Sequence, residues 1–274
     1  MKISVLAPNY NYGEYLETMI LSVVSQSYSS IELIIVDDGS TDDSVYVIKK
    51  LMLDYPGKII LVEQKNKGQS YALNKALSYV TGEIICWINS DDFFCCNSFE
   101  KVMSVFTNNH KIDIVYGNFN IVNSSGQFIC TKQHLVFNYF ESVFVGFGNC
   151  LTSNAIFWKK HLSDNIGNFN EQLKSNMDGE FFARLTFKSN MYFINEPLAN
   201  FRRQVISIAG INDVNWNSRV KNERMIEASI AYNNLIISKY IDFKYLKLLT
   251  YYFLFSRLIR KYLRKYLRKY VMFL

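Results

Sequence analysis

Asp91 and Asp92 are adjacent carboxylates that follow an apolar run, Ile84-Ile85-Cys86-Trp87-Ile88, and a polar stop, Asn89-Ser90. The run is too short for a buried helix, and its β-branched content predicts a strand covered on both faces. Such a strand delivers its acidic pair where the backbone leaves a sheet, the edge at which open α/β sheets bind ligands. Neighbouring carboxylates repel unless positive charge lies between them and a ligand. A hard divalent cation held by one or two carboxylates and by phosphate oxygens meets that need. The same pair also reads as a cap for a helix opening near Asn97.

Three more polar clusters follow apolar runs in this way. Lys2 to Ala7 predicts a first strand, stopped by Pro8 ahead of Asn9-Tyr10-Asn11. Ile31 to Val36 predicts a second, ending in Asp37-Asp38-Gly39-Ser40-Thr41-Asp42. There Gly39 allows a sharp turn, and Ser40 or Thr41 caps a helix running to about Leu53. Ile59 to Glu63 predicts a third strand, followed by Asn66-Lys67-Gly68-Gln69 and a helix from Ser70 to Val80. Between the first two strands, Tyr15, Leu16, Met19, Ile20, Val23 and Val24 fall at helical spacing within Glu14 to Gln26. Strand and helix alternating at short spacing imply a parallel sheet with right-handed crossovers, whose strands all end on one rim. Four polar loops, at Pro8–Asn11, Asp37-Asp38, Asn66–Gly68 and Asp91-Asp92, then meet as they would around a nucleotide.

Past Asn97 the rhythm changes. A helix to about Asn108 precedes strands at Asp113 to Val122 and Gln127 to Thr131, joined by the hairpin signal Asn123-Ser124-Ser125-Gly126. This predicts an antiparallel part joined to the parallel sheet. Phe137 to Gly148 reads as a mobile aromatic loop beside the site. Asp178 opens a helix, Met191 to Ile194 reads as a short strand, and a polar helix from Val214 to Tyr240 leads to a tail.

The chain has 274 residues, 49% hydrophobic and 20% charged, the balance of a globular protein with a sizeable core. Its net charge of +6 is a tail property: nine Lys or Arg and no acid lie from Phe243 onward, and subtracting them leaves about −3 for the rest. Five cysteines without a C-x-x-C pair read as reduced thiols of a cytosolic protein. The apolar run at the N-terminus is too short for a signal peptide. His110, His134 and His161 are scattered and form no ligand pattern.

Taken together, these residues resemble the family-2 glycosyltransferases of the GT-A fold. The resemblance rests on Pro8-Asn9-Tyr10-Asn11, Val36 to Asp42, Asn66 to Asn74, Thr81 to Ile85, Trp87 to Asp92, Val115 to Asn118, Ile166 to Glu171 and Met177 to Glu180, and covers about residues 2 to 207. It implies an α/β fold with a Rossmann-like, mostly parallel sheet, an antiparallel acceptor side and a C-terminal helical tail. It further implies an inverting transferase of the kind used in bacterial surface-polysaccharide assembly, moving a sugar from a nucleotide diphosphate, a UDP-sugar, to a glycan or a polyprenyl-diphosphate-linked acceptor. By the same resemblance Asp38 accepts a hydrogen bond from the base, and Pro8, Asn9, Tyr10 and Asn11 line the base and ribose pocket. Lys67 and Gly68 lie near base or ribose, Asp91 near ribose or sugar, and Asp92 binds the Mn²⁺ or Mg²⁺ that bridges the diphosphate. Asp178 matches the general base that takes the acceptor's proton. Asn89 stands where many relatives carry an acid. Gln204 stands where relatives often carry a His toward the diphosphate, which leaves Arg202 or Arg203 to meet phosphate.

From Arg257, a helix would place Leu258, Ile259, Tyr262, Leu263, Tyr266, Leu267, Tyr270 and Val271 on one side and seven Lys or Arg on the other. A basic amphipathic helix of this kind lies on an anionic membrane surface, and its charges argue against spanning. Nucleic acid and a packed partner helix are the rival readings, and no nucleic-acid function is expected. The expected organisation is a transferase domain over 1–211, with a donor half 1–110 and an acceptor half 111–211. A tail over 212–274 then holds the enzyme on the cytoplasmic membrane face. The alternatives are a nucleotidyltransferase, which wants a Gly-rich phosphate loop after the first strand, and a catalytically weak, membrane-bound sugar-nucleotide binder, which Gln204 keeps open. A phosphatase using an aspartyl nucleophile wants an Asp after the first strand, and none is there.

Overall fold

A computed structural model describes residues 1–134, 137, 151, 153–173 and 177–203. The expected polar helix at Val214 to Tyr240, the basic helix from Arg257, Gln204 and nearly all of the Phe137–Gly148 loop lie outside these residues.

The strands are β1 (Ile3–Asn9), β2 (Ile31–Asp37), β3 (Ile59–Glu63), β4 (Ile84–Trp87), β5 (Phe93–Phe94), β6 (Ile114–Val122), β7 (Phe128–Lys132), β8 (Ile156–Lys159) and β9 (Met191–Arg202). The helices are α1 (Gly13–Val24), α2 (Ser44–Asp54), α3 (Gln69–Leu77), α4 (Ser98–Asn108), α5 (Lys160–Ile166) and α6 (Met177–Thr186). All nine strands form one sheet in the order β3-β2-β1-β4-β8-β6-β9-β5, with β7 paired to β6. β1 to β4 are mutually parallel in a register that aligns Asn9 with Asp37 and Leu6 with Trp87. β8 runs against both β4 and β6, and β6 runs with β9. The expected α/β sheet with an antiparallel insertion is therefore the fold.

Alternation along each strand splits the core. Ile3, Val5 and Ala7 of β1 join Leu16, Met19 and Ile20 of α1 and Phe99, Val102 and Phe106 of α4 on one face. Leu6, Ile85 and Trp87 join Ala72 and Leu73 of α3 and Phe181 and Phe182 of α6 on the other. Helices on both faces explain why β1, β2 and β4 are continuous apolar runs rather than alternating ones.

Several boundaries differ from expectation. β1 continues through Pro8 to Asn9. Even-numbered residues of β1 bond toward β4, as when the Leu6 carbonyl accepts from the Ile88 N–H. β4 has already turned away at Pro8, so the missing proline donor costs no ladder bond. Neither Ser40 nor Thr41 caps α2. The Asp42 carboxylate instead accepts from the Ser44 N–H at 3.0 Å and from Gly13 N–H at 2.9 Å, holding the starts of α2 and α1 together. β9 is twelve residues long, because the strand resumes across a register shift in which Gly117 faces Ile194 and Asn118 faces Pro197. A proline at such an irregularity loses no ladder bond. β5, β8 and α5 were not foreseen.

Candidate active site

The carboxyl ends of β1 to β4 meet at one rim, and hydrogen bonds tie their loops together. Asn9 Nδ2 donates to Asp37 Oδ2 at 2.8 Å, and Ser40 donates to Asp37 through both its N–H (2.9 Å) and its hydroxyl (2.6 Å). Asp37 thus shapes the turn. Asn11, in the left-handed region at φ 57°, accepts from the Thr41 N–H at 2.8 Å and donates its own N–H to Ser40 Oγ. Gly39 is required here: φ is +80°, and a side chain would meet Asn66 N at 3.0 Å. Asp38, buried at 4% exposure, accepts from Lys67 N–H (2.9 Å), Gly68 N–H (2.7 Å) and the Gln64 side chain (2.7 Å). Its carboxylate therefore fixes the loop after β3 and keeps a lone pair for one further donor. Tyr10 is exposed beside these loops, and the Lys67 ammonium lies over the Tyr71 ring.

The acidic turn sits next to them. Ser90 Oγ donates to the Pro8 carbonyl at 2.9 Å, which fastens the β4 loop to the end of β1. Asp92 is 1% exposed and accepts three hydrogen bonds, all from uncharged groups: the Arg202 backbone N–H (2.8 Å), Asn89 Nδ2 (3.4 Å) and Asn154 Nδ2 (3.2 Å). Asn89 is itself held by the Trp87 indole and Gln69. Burial first, and then the neighbouring Asp91 charge, push the Asp92 carboxyl well above the usual carboxylate range. Burial also raises Asp91, against the pull of Arg202. Tyr12 feels the same charges: burial raises its phenol, and Asp91 and Asp92 raise it further.

Arg202 forms no ion pair with either acid, although its charge draws Asp91 down. Its guanidinium donates to the Asp91 carbonyl (2.8 Å) and the Ser124 carbonyl (2.6 Å) and lies 4.8 Å from the Tyr15 ring centre and 5.5 Å from that of Phe93. At 6% exposure it braces the β6–β7 hairpin against the acidic turn rather than standing open to a phosphate. No described Lys, Arg or His side chain forms an ion pair with Asp91 or Asp92. Two carboxylates, one of them buried and oriented only by neutral donors, are short of a positive partner, and a divalent cation fits that deficit. Among the described residues no three His, Cys, Asp or Glu side chains converge, so these residues offer such a cation two carboxylates at most.

Asp178 lies in the first turn of α6 and accepts the Gly179 N–H at 2.8 Å; burial raises its carboxyl above the usual range. One turn on, Phe182 on the same helix face lies 6.2 Å from the Trp87 ring at the end of β4. That contact seats α6 on the sheet face shared with α3. Glu180 is turned inward: it is 5% exposed and pairs with Arg184 at 2.6 and 2.8 Å, while Arg184 also binds the Ile166 and Asn168 carbonyls. Asn154 and Tyr12 are the residues of this rim that the sequence did not single out. Asn154 sits on a short 3-10 turn, Ser153–Ala155, with no motif around it.

Residues 4–191 match the family model described as glycosyl transferase family 2. Among curated proteins, an uncharacterized glycosyltransferase of Nostoc sp. is 41% identical over 124 residues, 43% of this chain and 38% of that protein. One of Rickettsia typhi is 28% identical over 210 residues, 73% of this chain and 63% of its own length. The Escherichia coli UDP-Glc:alpha-D-GlcNAc-diphosphoundecaprenol beta-1,3-glucosyltransferase WfgD is 31% identical over 134 residues, 48% of this chain and 52% of that one. The chain thus spans between about two fifths and two thirds of the length of these relatives. Among solved structures, S. aureus TarS 1-349 in complex with UDP superposes with a TM-score of 0.70 at 18% identity, over 93% of this chain and 71% of that one. The mannosyltransferase PcManGT from Pyrobaculum calidifontis, in complex with GDP-Man and Mn2+, gives 0.60 at 15% identity, over 91% and 68%. No helix among the described residues is long and apolar enough to cross a membrane.

Proposed function

The chain belongs to glycosyl transferase family 2, and on that premise we propose that it is an inverting, cation-assisted glycosyltransferase. Its donor is a nucleoside-diphosphate sugar with a uracil base, and its acceptor is a hydroxyl of a glycan or of a lipid-diphosphate-linked sugar. The observation that carries this reading is the rim itself, where the loops after β1, β2 and β3 and an acidic turn with no ion-paired partner among the described residues are fastened side by side. TarS complexes with UDP and with UDP-GlcNAc, and the lipid-linked acceptor in the name of WfgD, support the choice of donor and acceptor.

In this reading, Asp38 presents its remaining lone pair to a ring N–H of the base, while Asn9 and Asn11 hold the loop that Tyr10 covers. Asp92 and Asp91 would hold Mn²⁺ or Mg²⁺. Such a cation, when bound, offsets the charge that develops on the departing diphosphate. Asp178 takes the proton of the acceptor hydroxyl as the new bond forms on the face opposite the leaving group, which inverts the anomeric carbon. Its raised affinity for protons suits that task, and general-base help of this kind is worth about 10²–10⁴ in rate.

The basic, tyrosine-lined sequence from Arg257 supports a surface-bound enzyme whose acceptor sits in the membrane. Residues 1–211 are then the catalytic domain and 212–274 the anchor at the cytoplasmic face. Donor turnover with Mn²⁺, measured beside donor binding, tests the reading. Asp178→Asn should keep binding and lose about 10²–10⁴ of turnover. Unchanged turnover in that variant, or no binding of any nucleotide sugar by wild type, would refute it.

A further inference from the structure

Asn154 holds a position that nothing in its own segment requires. It is 1% exposed, and its Nδ2 lies 3.2 Å from Asp92 Oδ2. The amide nitrogen is the atom that faces Asp92, as an ionised carboxylate, which only accepts, requires. The amide oxygen is buried and has no hydrogen-bond partner among the described residues. A buried, unpartnered carbonyl is costly, and natural structures keep few of them without a reason. Here the orphan oxygen lies an amide's width from the nitrogen that contacts the buried carboxylate of the acidic turn. Asparagine oxygens are ordinary ligands of hard divalent cations, and a turn with only two carboxylates needs neutral oxygens to fill a shell.

We propose that Asn154 is part of the cation–diphosphate site. Its nitrogen orients Asp92, and its oxygen is offered to the cation's coordination shell. Because the donors around Asp92 are uncharged, they fix the carboxylate without cancelling the charge that attracts the ion. This inference rests on the cation-assisted reading above.

The test uses the full-length chain and Mn²⁺, with and without UDP, with free Mn²⁺ read by its electron paramagnetic resonance signal. Asn154→Ala should weaken Mn²⁺ binding by about 10–100-fold, the loss seen when partners that orient metal ligands are removed. Its circular dichroism and its melting temperature in EDTA should stay those of a folded protein. If Asn154→Ala does not fold, Asn154→Ser, whose hydroxyl is too short to reach Asp92, is read in the same way. In wild-type protein labelled with ¹³C at asparagine Cγ, bound Mn²⁺ should show a hyperfine coupling to an amide carbon. Mn²⁺ affinity within twofold of wild type in a folded variant, or absence of that coupling, overturns the proposal while leaving the glycosyltransferase reading intact. A wild-type protein that binds no Mn²⁺ with UDP overturns both.

Discussion

Glu32 is a carboxylate buried near the start of the apolar strand β2, and replacing it gives a sharp test of what holds the sheet together. Its side chain is 3% exposed and accepts from Lys2 Nζ (2.5 Å), Ser4 Oγ (2.5 Å), Thr81 Oγ1 (2.7 Å), Thr81 N–H (2.7 Å) and, more weakly, Gly82 N–H (3.3 Å). Burial alone would raise its pKa; the hydrogen bonds from Lys2, Ser4 and Thr81 override it and bring the value from 4.5 down to about 2. A shift of that size corresponds to about 3 kcal/mol of stability at neutral pH. Lys2 is 37% exposed, so salt trims its share. Because the folded-state value is depressed, the contribution is complete above pH 4.5 and disappears as pH falls from there toward 2. Urea unfolding of wild type and Glu32→Gln, followed by circular dichroism from pH 7 to pH 2.5, should show a gap of about 3 kcal/mol that closes below pH 4.5. A gap that stays constant across that range would mean that Glu32 contributes shape rather than charge, and the reasoning would fail.

Gly82→Ala should be destabilising by about 1–3 kcal/mol in the same urea assay, because a methyl group there would sit 2.5 Å from the Lys2 carbonyl oxygen and 2.7 Å from Ser4 Oγ. Arg202→Lys should cost about 2 kcal/mol, read as a lowered melting temperature, since one ammonium cannot reach both the Asp91 and Ser124 carbonyls that the guanidinium spans. Wild-type turnover should fall on the acid side at a pH above the ordinary carboxylate range, because burial raises Asp178 and only its ionised form accepts a proton.

The rim at the strand ends was legible because each of its loops follows an apolar run that a parallel sheet must bury, so strand ends and loop chemistry coincide in the sequence. Pro8 misled because proline reads as a stop, yet it sits beyond the end of β4, where no ladder bond is asked of it. β8 was hidden because Ile156-Phe157-Trp158 is a short apolar stretch with no alternation. Arg202 shows the harder limit. A basic residue near a phosphate site invites a phosphate role, and only the fold reveals that Tyr15 and Phe93, far away in the chain, enclose it. Asn154 was invisible on the same ground, since its meaning lies wholly in its contact with Asp92.

The three groups that grip Asp92 come from residues 89, 154 and 202, so its setting is written across more than a hundred positions of the chain. Genetic exchange between relatives that broke the gene anywhere in that interval would splice one ancestor's acidic turn to another's clamps. Hybrids of this kind would set one ancestor's buried carboxylate among another's hydrogen-bond donors.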